Sequence, residues 1–169
     1  MDKLEITGLE GAASGVVVEA QFNPKEISID KSVSWQKQKK QGPADLEFTA
    51  AEPKTMSCEL MFDGFESGSS IQTEIDKLHL FSAVDPALKR PPKVKVVWGI
   101  EGTPGMIPRL DAVIESIGIT YTMFNADGVP LRATAKLRFT EARNLKVGNR
   151  SRKAIRQGNH ALPGDDSSS

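Results

Sequence analysis

The stretch YTMFNADGVPLRATAKLRF, residues 121–139, indicates the fold class because it has the pattern of two strands around a turn. Asp127 and Gly128 mark the turn. The second half alternates strictly, which is the period of a strand with one buried and one polar side. Its apolar side carries Leu131, Ala133, Ala135, Leu137 and Phe139, and its polar side carries Arg132, Thr134, Lys136 and Arg138. The stretch therefore predicts a long amphipathic hairpin with a cationic face.

Outward from this hairpin, further segments have the composition or period of strands. Residues 109–124 and 131–140 form the hairpin itself, and the other predicted strands are residues 16–22, 27–35, 46–48, 56–62 and 93–99. In residues 27–35 the apolar side chains alternate with serine and aspartate, which predicts a half-buried strand. Cys58 falls on the inward side of its strand and is predicted to be a core thiol.

One segment, residues 71–84, has helical spacing of its apolar residues. Ile71, Ile75, Leu78 and Ser82 share a face, and Ser70 is placed to cap the first turn. Pro86, Pro91 and Pro92 follow and cannot continue a helix. About seven strands and one helix predict a mainly β protein, a small barrel or sandwich with the helix covering one edge or end.

The length of 169 residues suggests one domain, which we place at residues 1–142. Of the 22 basic and 22 acidic residues, six basic and two acidic ones lie in residues 143–169, leaving 16 and 20 in the domain. We expect this end to be a basic, flexible tail that is either solvated or bound to an anionic protein partner. Its lack of aromatic residues disfavours nucleic acid. The six cations are Arg143, Lys146, Arg150, Arg152, Lys153 and Arg156.

The residues that enzymes and metal sites need are sparse. The only histidines are His79 and His160, the only cysteine is Cys58, and their spacing matches no zinc motif. Serines fall in turn-like or terminal runs, and acidic residues show no pattern that singles out a pair. We therefore predict no catalytic residue, no cofactor and no metal. A single cysteine, no signal peptide and no long apolar run predict synthesis in the cytoplasm without direct membrane insertion.

Four segments resemble the N-terminal domain of tube and baseplate-adaptor proteins of contractile injection systems, which are phage-tail-like particles. They are residues 22–35, 55–66, 85–99 and 121–141. The resemblance implies a tail-tube fold that assembles as hexameric rings, in which hairpins of neighbouring copies join into one barrel around a channel. It further implies a structural, non-enzymatic role. The implied partners are other copies of the chain, the inner tube protein, the spike or hub protein and other baseplate proteins.

Within that family, we expect an adaptor or initiator ring that joins the baseplate-spike hub to the inner tube. Adaptor members often continue into a LysM domain, of which residues 144–149, NLKVGN, faintly resemble only the start, and we expect no such module here. Two alternatives stay open: a specialised inner-tube ring subunit, and a monomeric β-barrel module that binds an anionic ligand or protein. The particle itself is expected to be either released or anchored to a membrane.

Three sets of residues are candidates for assembly. The turn is predicted to contact a neighbouring ring or hub through Met123, Phe124, Asn125, Asp127, Gly128, Val129 and Pro130. The polar side of the last strand is predicted to face the channel through Arg132, Thr134, Lys136 and Arg138. The basic tail is predicted to contact a partner.

Overall fold

A computed structural model describes residues 2–37, 45–142 and 145 of the chain. The described elements are, in chain order, β1 (Leu4–Gly8), a 3-10 turn (Gly11–Ala13), β2 (Val17–Glu19), β3 (Ile27–Asp30), β4 (Val33–Lys37), β5 (Leu46–Ala51), β6 (Thr55–Asp63), α1 (Gln72–Ser82), β7 (Val94–Trp98), β8 (Leu110–Phe124) and β9 (Pro130–Glu141). The predicted mainly β class with one α-helix is confirmed.

Seven strands form one antiparallel sheet in the order β2-β1-β7-β8-β9-β6-β3. The hairpin of β8 and β9 lies near its middle, and β9 pairs with the whole length of β6, from Thr55 opposite Thr140 to Asp63 opposite Arg132. The sheet is strongly curled. This is shown by Gln21, just after β2, whose side chain makes hydrogen bonds to Asp63 on β6, although the two strands are far apart in the strand order. It is neither a closed barrel nor a two-sheet sandwich, so the architecture differs in this detail from the prediction.

The core lies on one face of this sheet, beneath α1. From the helix, Ile75, Leu78 and Phe81 are fully buried, and α1 packs on β8 and β2. The sheet contributes the alternate residues of its strands, as the period of two requires. Its largest fully buried side chains include Leu4, Ile6, Met56, Leu60, Leu137 and Phe139. The predicted apolar side of β9 is thus confirmed as the core side.

The helix is close to its predicted position. The hydroxyl of Ser70 accepts a hydrogen bond from the backbone N–H of Gln72 at 3.2 Å, although Ile71 occupies the N-cap position. Phe81, rather than the predicted Ser82, continues the buried stripe. Positions 81 and 82 are both compatible with a stripe through Ile75 and Leu78, and the apolar phenylalanine is the one that is buried.

The prediction of one half-buried strand at residues 27–35 is wrong. The segment divides into β3, which joins the large sheet, and β4, which pairs only with β5 in a separate two-stranded hairpin. Ile29, Val33 and Trp35 are 49%, 44% and 57% exposed. Their alternation is regular, but no other described element covers the apolar side. The short strand β1 was not predicted, and the described part of the chain has nine strands rather than about seven.

The loops at one end of the sheet are fastened by two acidic side chains. The buried carboxylate of Asp85 accepts hydrogen bonds from the backbone N–H groups of Ala12, Leu88 and Ala87, which together lower its pKa. Glu10 holds the guanidinium of Arg90 through two hydrogen bonds of 2.7 and 3.2 Å. These contacts join the segment after β1 to the segment before β7, two regions far apart in the chain.

Candidate assembly surfaces

The side of the sheet opposite the core is hydrophilic over four adjacent strands, β3, β6, β9 and β8, and we call it the polar face. Residues directly opposite in an antiparallel pair share a face, so the strand register defines its members. They are Ser28 and Asp30; Thr55, Ser57, Glu59, Met61 and Asp63; Arg132, Thr134, Lys136, Arg138 and Thr140; and Ser116, Gly118, Thr120 and Thr122. The predicted set Arg132, Thr134, Lys136 and Arg138 does lie together here.

The polar face is not simply cationic, because carboxylates of the neighbouring strands oppose its arginines. Arg132 Nε lies 2.9 Å from Asp63 Oδ2, and Arg138 Nε lies 3.2 Å from Glu115 Oε2. A bulge between Ile114 and Ser116 turns Glu115 towards this face. The Thr140 hydroxyl donates to Glu115 at 2.6 Å, and this bond, together with Arg138, lowers the pKa of Glu115. The expectation of a cationic face is therefore corrected to a face on which carboxylates of the adjacent strands compensate much of the positive charge of β9.

The seven predicted interface residues form the turn end of the β8–β9 hairpin, with Met123 and Phe124 at the end of β8 and Pro130 at the start of β9. Asn125 organises the turn: its side-chain oxygen accepts from the N–H groups of Asp127 and Val129 at 2.9 and 3.0 Å. Gly128 has φ +80°, a conformation that glycine adopts without strain. Phe124 is 57% exposed, and Met123 and Val129 are also exposed. An ordered turn thus presents an apolar tip to solvent.

Met123 itself has φ +53°, in the left-handed region that is uncommon for residues other than glycine. It lies at the end of the pairing between β8 and β9, just before Phe124 pairs with Pro130. Strained residues persist where the surrounding structure determines them, and they often occur at functional sites. The observation agrees with the choice of this turn as a candidate contact.

The four-stranded polar face has open strand edges on both sides. On one side, β8 pairs with β7 only through Leu110, Asp111 and Ala112, so residues 113–124 have no described partner strand on that edge. On the other side, β3 is the last strand, and its pairing with β6 ends at Cys58. Exposed strand edges favour pairing with further strands. Among the described residues, both edges of the polar face therefore lack a partner strand over most of their length.

A second apolar surface, on the β4–β5 hairpin, was not predicted from the sequence. The hairpin of β4 and β5 exposes Val33, Trp35, Leu46 and Phe48, and the Trp35 and Phe48 rings pack edge-to-face with centroids 5.7 Å apart. An isolated two-stranded hairpin is marginally stable in water, and exposed apolar patches usually mark interaction sites. The alternation in residues 27–35 indicates an apolar side of a strand, but it does not show whether that side is buried in the core or exposed.

Candidates for chemistry are few in the described residues. Cys58 is buried, and burial raises the pKa of its thiol to about 11, which disfavours the reactive thiolate. His79 is exposed on α1. Among residues 2–37, 45–142 and 145, no group of three or more metal-ligating side chains comes together. In the same part of the chain, no helix has the length and apolar character needed to cross a bilayer.

The predicted tail contacts fall outside the described residues. These are Arg143, Lys146, Arg150, Arg152, Lys153 and Arg156, and their role stays a prediction. Removing residues 143–169 and measuring binding to tube or baseplate partners would test it. Unchanged binding would contradict the prediction.

Two comparisons with known proteins bear on this arrangement. A search among curated proteins found no match. The family model of the contractile injection system tube protein matches residues 1–149, which include every described strand and the helix. The match also covers the polar face, both open edges and the two apolar surfaces. The chain belongs to the contractile injection system tube protein family.

Proposed function

We propose that this protein forms a hexameric adaptor or initiator ring that joins the baseplate-spike hub of a contractile injection system to its inner tube. Family membership supports a tube-like structural protein. The proposal of a ring rests on the four-stranded polar face, which has an open strand edge on each side. When such subunits pair side by side, the β8 edge of each copy is covered by the β3 edge of the next.

Strand direction is compatible with ring closure. Along β8, β9, β6 and β3 each neighbouring pair is antiparallel, so β8 and β3 run in opposite directions. A copy rotated about an axis roughly parallel to the strands keeps its strand directions, so its β8 meets β3 of the first copy antiparallel. The contact repeats head-to-tail, which closes into a ring when the rotation closes.

The dimensions suit a channel. With strands about 4.8 Å apart, a hexamer of four-stranded sectors has a circumference of about 115 Å and a diameter of about 37 Å before strand tilt widens it. The apolar side of each sheet is already occupied by its own core and α1. The polar face is the side suited to a water-filled lumen, which is where we place Arg132, Thr134, Lys136 and Arg138.

Two apolar surfaces at opposite ends of the polar face support a ring with unlike neighbours above and below. The turn containing Phe124 follows β8 at the end where Asp63 pairs with Arg132. The β4–β5 hairpin joins at the other end, where Asp30 pairs with Thr55. The nine residues of β6 separate these ends by about 27 Å. We propose that the turn contacts one neighbour and the β4–β5 hairpin the other.

The copy number of the protein in assembled particles tests the adaptor assignment. Quantitative mass spectrometry of purified particles would compare this chain with the main tube protein in preparations of different tube length. An adaptor or initiator ring has a fixed copy number that is independent of length. A copy number that grows with length would instead favour the alternative, an inner-tube ring subunit. Particles with normal tubes made without the protein would contradict both roles.

A further inference from the structure

Four residues form a row across the polar face: Glu26, Glu59, Lys136 and Gly118. Lys136 is the register partner of both Glu59 on β6 and Gly118 on β8. Glu26 directly precedes Ile27, whose partner is Cys58, so it lies beside Glu59. Glu26, Glu59 and Lys136 line the same surface groove. The row begins at the β3 edge of the face and ends at the β8 edge.

The charges of this row differ from the others on the face. Arg132 and Arg138 each have a carboxylate within 3.2 Å. Within the described part of the chain, the side chains of Glu26, Glu59 and Lys136 make no ion pair or hydrogen bond, and all three are exposed. The isolated copy thus presents two carboxylates at one edge of the row and one ammonium group near the other.

Gly118 is not required by the fold of a single copy. A Cβ atom placed there would meet nothing closer than the Cβ of Lys136, at 4.0 Å, and its backbone is not in the left-handed region. Glycine inside a strand weakens it and often marks the close approach of another chain. Its neighbours along this side of β8 are Ser116 and Thr120, so the glycine leaves a notch at the open edge.

We propose that this row is the seam between copies in the ring: Lys136 of one copy reaches across the Gly118 notch to Glu26 of the next, beside which the Glu59 of that next copy lies. The inference rests on the proposed ring. If β8 of one copy pairs with β3 of the next in the register that sets Gly118 opposite Glu26, Lys136 lies two strands, or about 9.6 Å, from the neighbouring Glu26. That gap is within the combined length of a lysine and a glutamate side chain. A side chain at position 118 would stand between them.

The seam also determines the charge of the channel wall. Each copy contributes two carboxylates and one ammonium group at this level, so the assembled ring carries a continuous band with a net negative charge. The lysine in the band alternates with carboxylates of its own copy and of its neighbour. A wall of this kind disfavours close contact with anionic molecules in the channel, in contrast to the cationic lining expected from β9 alone.

The notch is tested with Gly118→Val, compared with Thr134→Val, which changes an interior position of the same face. The full-length proteins are studied by sedimentation velocity and electron microscopy, both alone at rising concentration and co-expressed with the other particle components. Thermal unfolding of each monomer establishes that it is folded. We expect Gly118→Val to remain folded and to lose at least 10-fold in ring yield, while Thr134→Val assembles like the wild type. Normal rings from Gly118→Val overturn the proposal.

The charges are tested by mixing two variants. Lys136→Glu and the double variant Glu26→Lys/Glu59→Lys should each fail to form rings alone, since like charges then meet at every seam. Mixed in equal amounts, they should form rings, because the two variants alternate and every seam joins opposite charges. Repulsion inside one copy cannot be relieved by mixing, so recovery identifies an intermolecular contact. No recovery on mixing, or normal rings from either variant alone, overturns the proposal.

The result for the wild-type protein separates this inference from the proposed function. If the wild-type protein and the Gly118→Val variant both form rings, the proposed seam is contradicted but the proposed ring is not. A wild-type chain that forms no ring, either alone or with the other particle components, contradicts the proposed function and the seam together.

Discussion

The side chain of Gln21 provides a measurable test of how the curled sheet is held. Its Oε1 accepts from the backbone N–H of Asp63 at 2.7 Å, and its Nε2 donates to the carbonyl oxygen of the same residue at 2.8 Å. The amide therefore takes the place of a neighbouring strand on the free edge of β6. Gln21→Ala removes both bonds and leaves the chain after β2 without this attachment.

The expected loss follows from two neutral hydrogen bonds. Each contributes about 0.5–1.5 kcal/mol net, and water can replace partners at this exposed site, so we expect a loss of about 1–2 kcal/mol. For a domain of this size that corresponds to a decrease in Tm of about 3–8 °C. Gln21→Glu keeps the acceptor, but at neutral pH it sets a carboxylate oxygen against the Asp63 carbonyl. It should lose at least as much stability as Gln21→Ala.

Urea unfolding followed by circular dichroism measures these differences. Gln36→Ala is the matched control, since Gln36 is an exposed glutamine on β4 with no described hydrogen bond from its side chain, and its loss should stay within about 0.5 kcal/mol. If Gln21→Ala unfolds at the same urea concentration as the wild type, the bidentate amide does not hold the sheet, and the reasoning is refuted.

Three further predictions concern the core and the loops. Phe139→Ala should cost about 3–5 kcal/mol in urea unfolding because Phe139 is fully buried in the middle of the sheet; a loss below about 1 kcal/mol would contradict its place in the core. Cys58 should react with a thiol reagent at pH 7.5 far more slowly in the native protein than in urea, and equal rates would contradict its burial and its pKa of about 11. Arg90 lowers the pKa of Glu10 below 4.5, so the pair's contribution is complete above pH 4.5 and is lost as the pH falls through the lowered value. Glu10→Gln should therefore remove that part of the acid-induced loss of stability, and an unchanged pH profile would contradict the pair.

The hairpin of β8 and β9 could be predicted from sequence because a strict period of two over many residues is a strong local signal. The same period of two gave a wrong prediction at Val33 and Trp35, which were expected to be buried and are exposed. Periodicity reports that a strand has an apolar side, whereas its burial depends on which other element covers that side. In the described part of the chain, β4 pairs only with β5, and the apolar side stays exposed.

The charge of the polar face illustrates a second limit of prediction from sequence. Arg132, Lys136 and Arg138 are evident in the sequence of β9, but Asp63 and Glu59 belong to β6, which is distant in the chain, and Glu115 faces Arg138 only because of the bulge in β8. Which charges oppose each other depends on register and on a bulge, neither of which is visible in a single strand. The glycine at position 118, by contrast, was a visible signal, since glycine inside a strand pattern often indicates close approach of another chain.

The central claim is that copies of this chain pair through β8 and β3 so that the polar face lines a channel. Cryo-electron microscopy of the assembled particle, at a resolution that traces strands and large side chains, tests it most directly. The account predicts a closed barrel in which β8 of each copy runs antiparallel to β3 of the next, with Arg132, Lys136 and Arg138 facing the lumen. A ring with these three side chains in a dry interface towards the sheath, or joined through other strands, would contradict it.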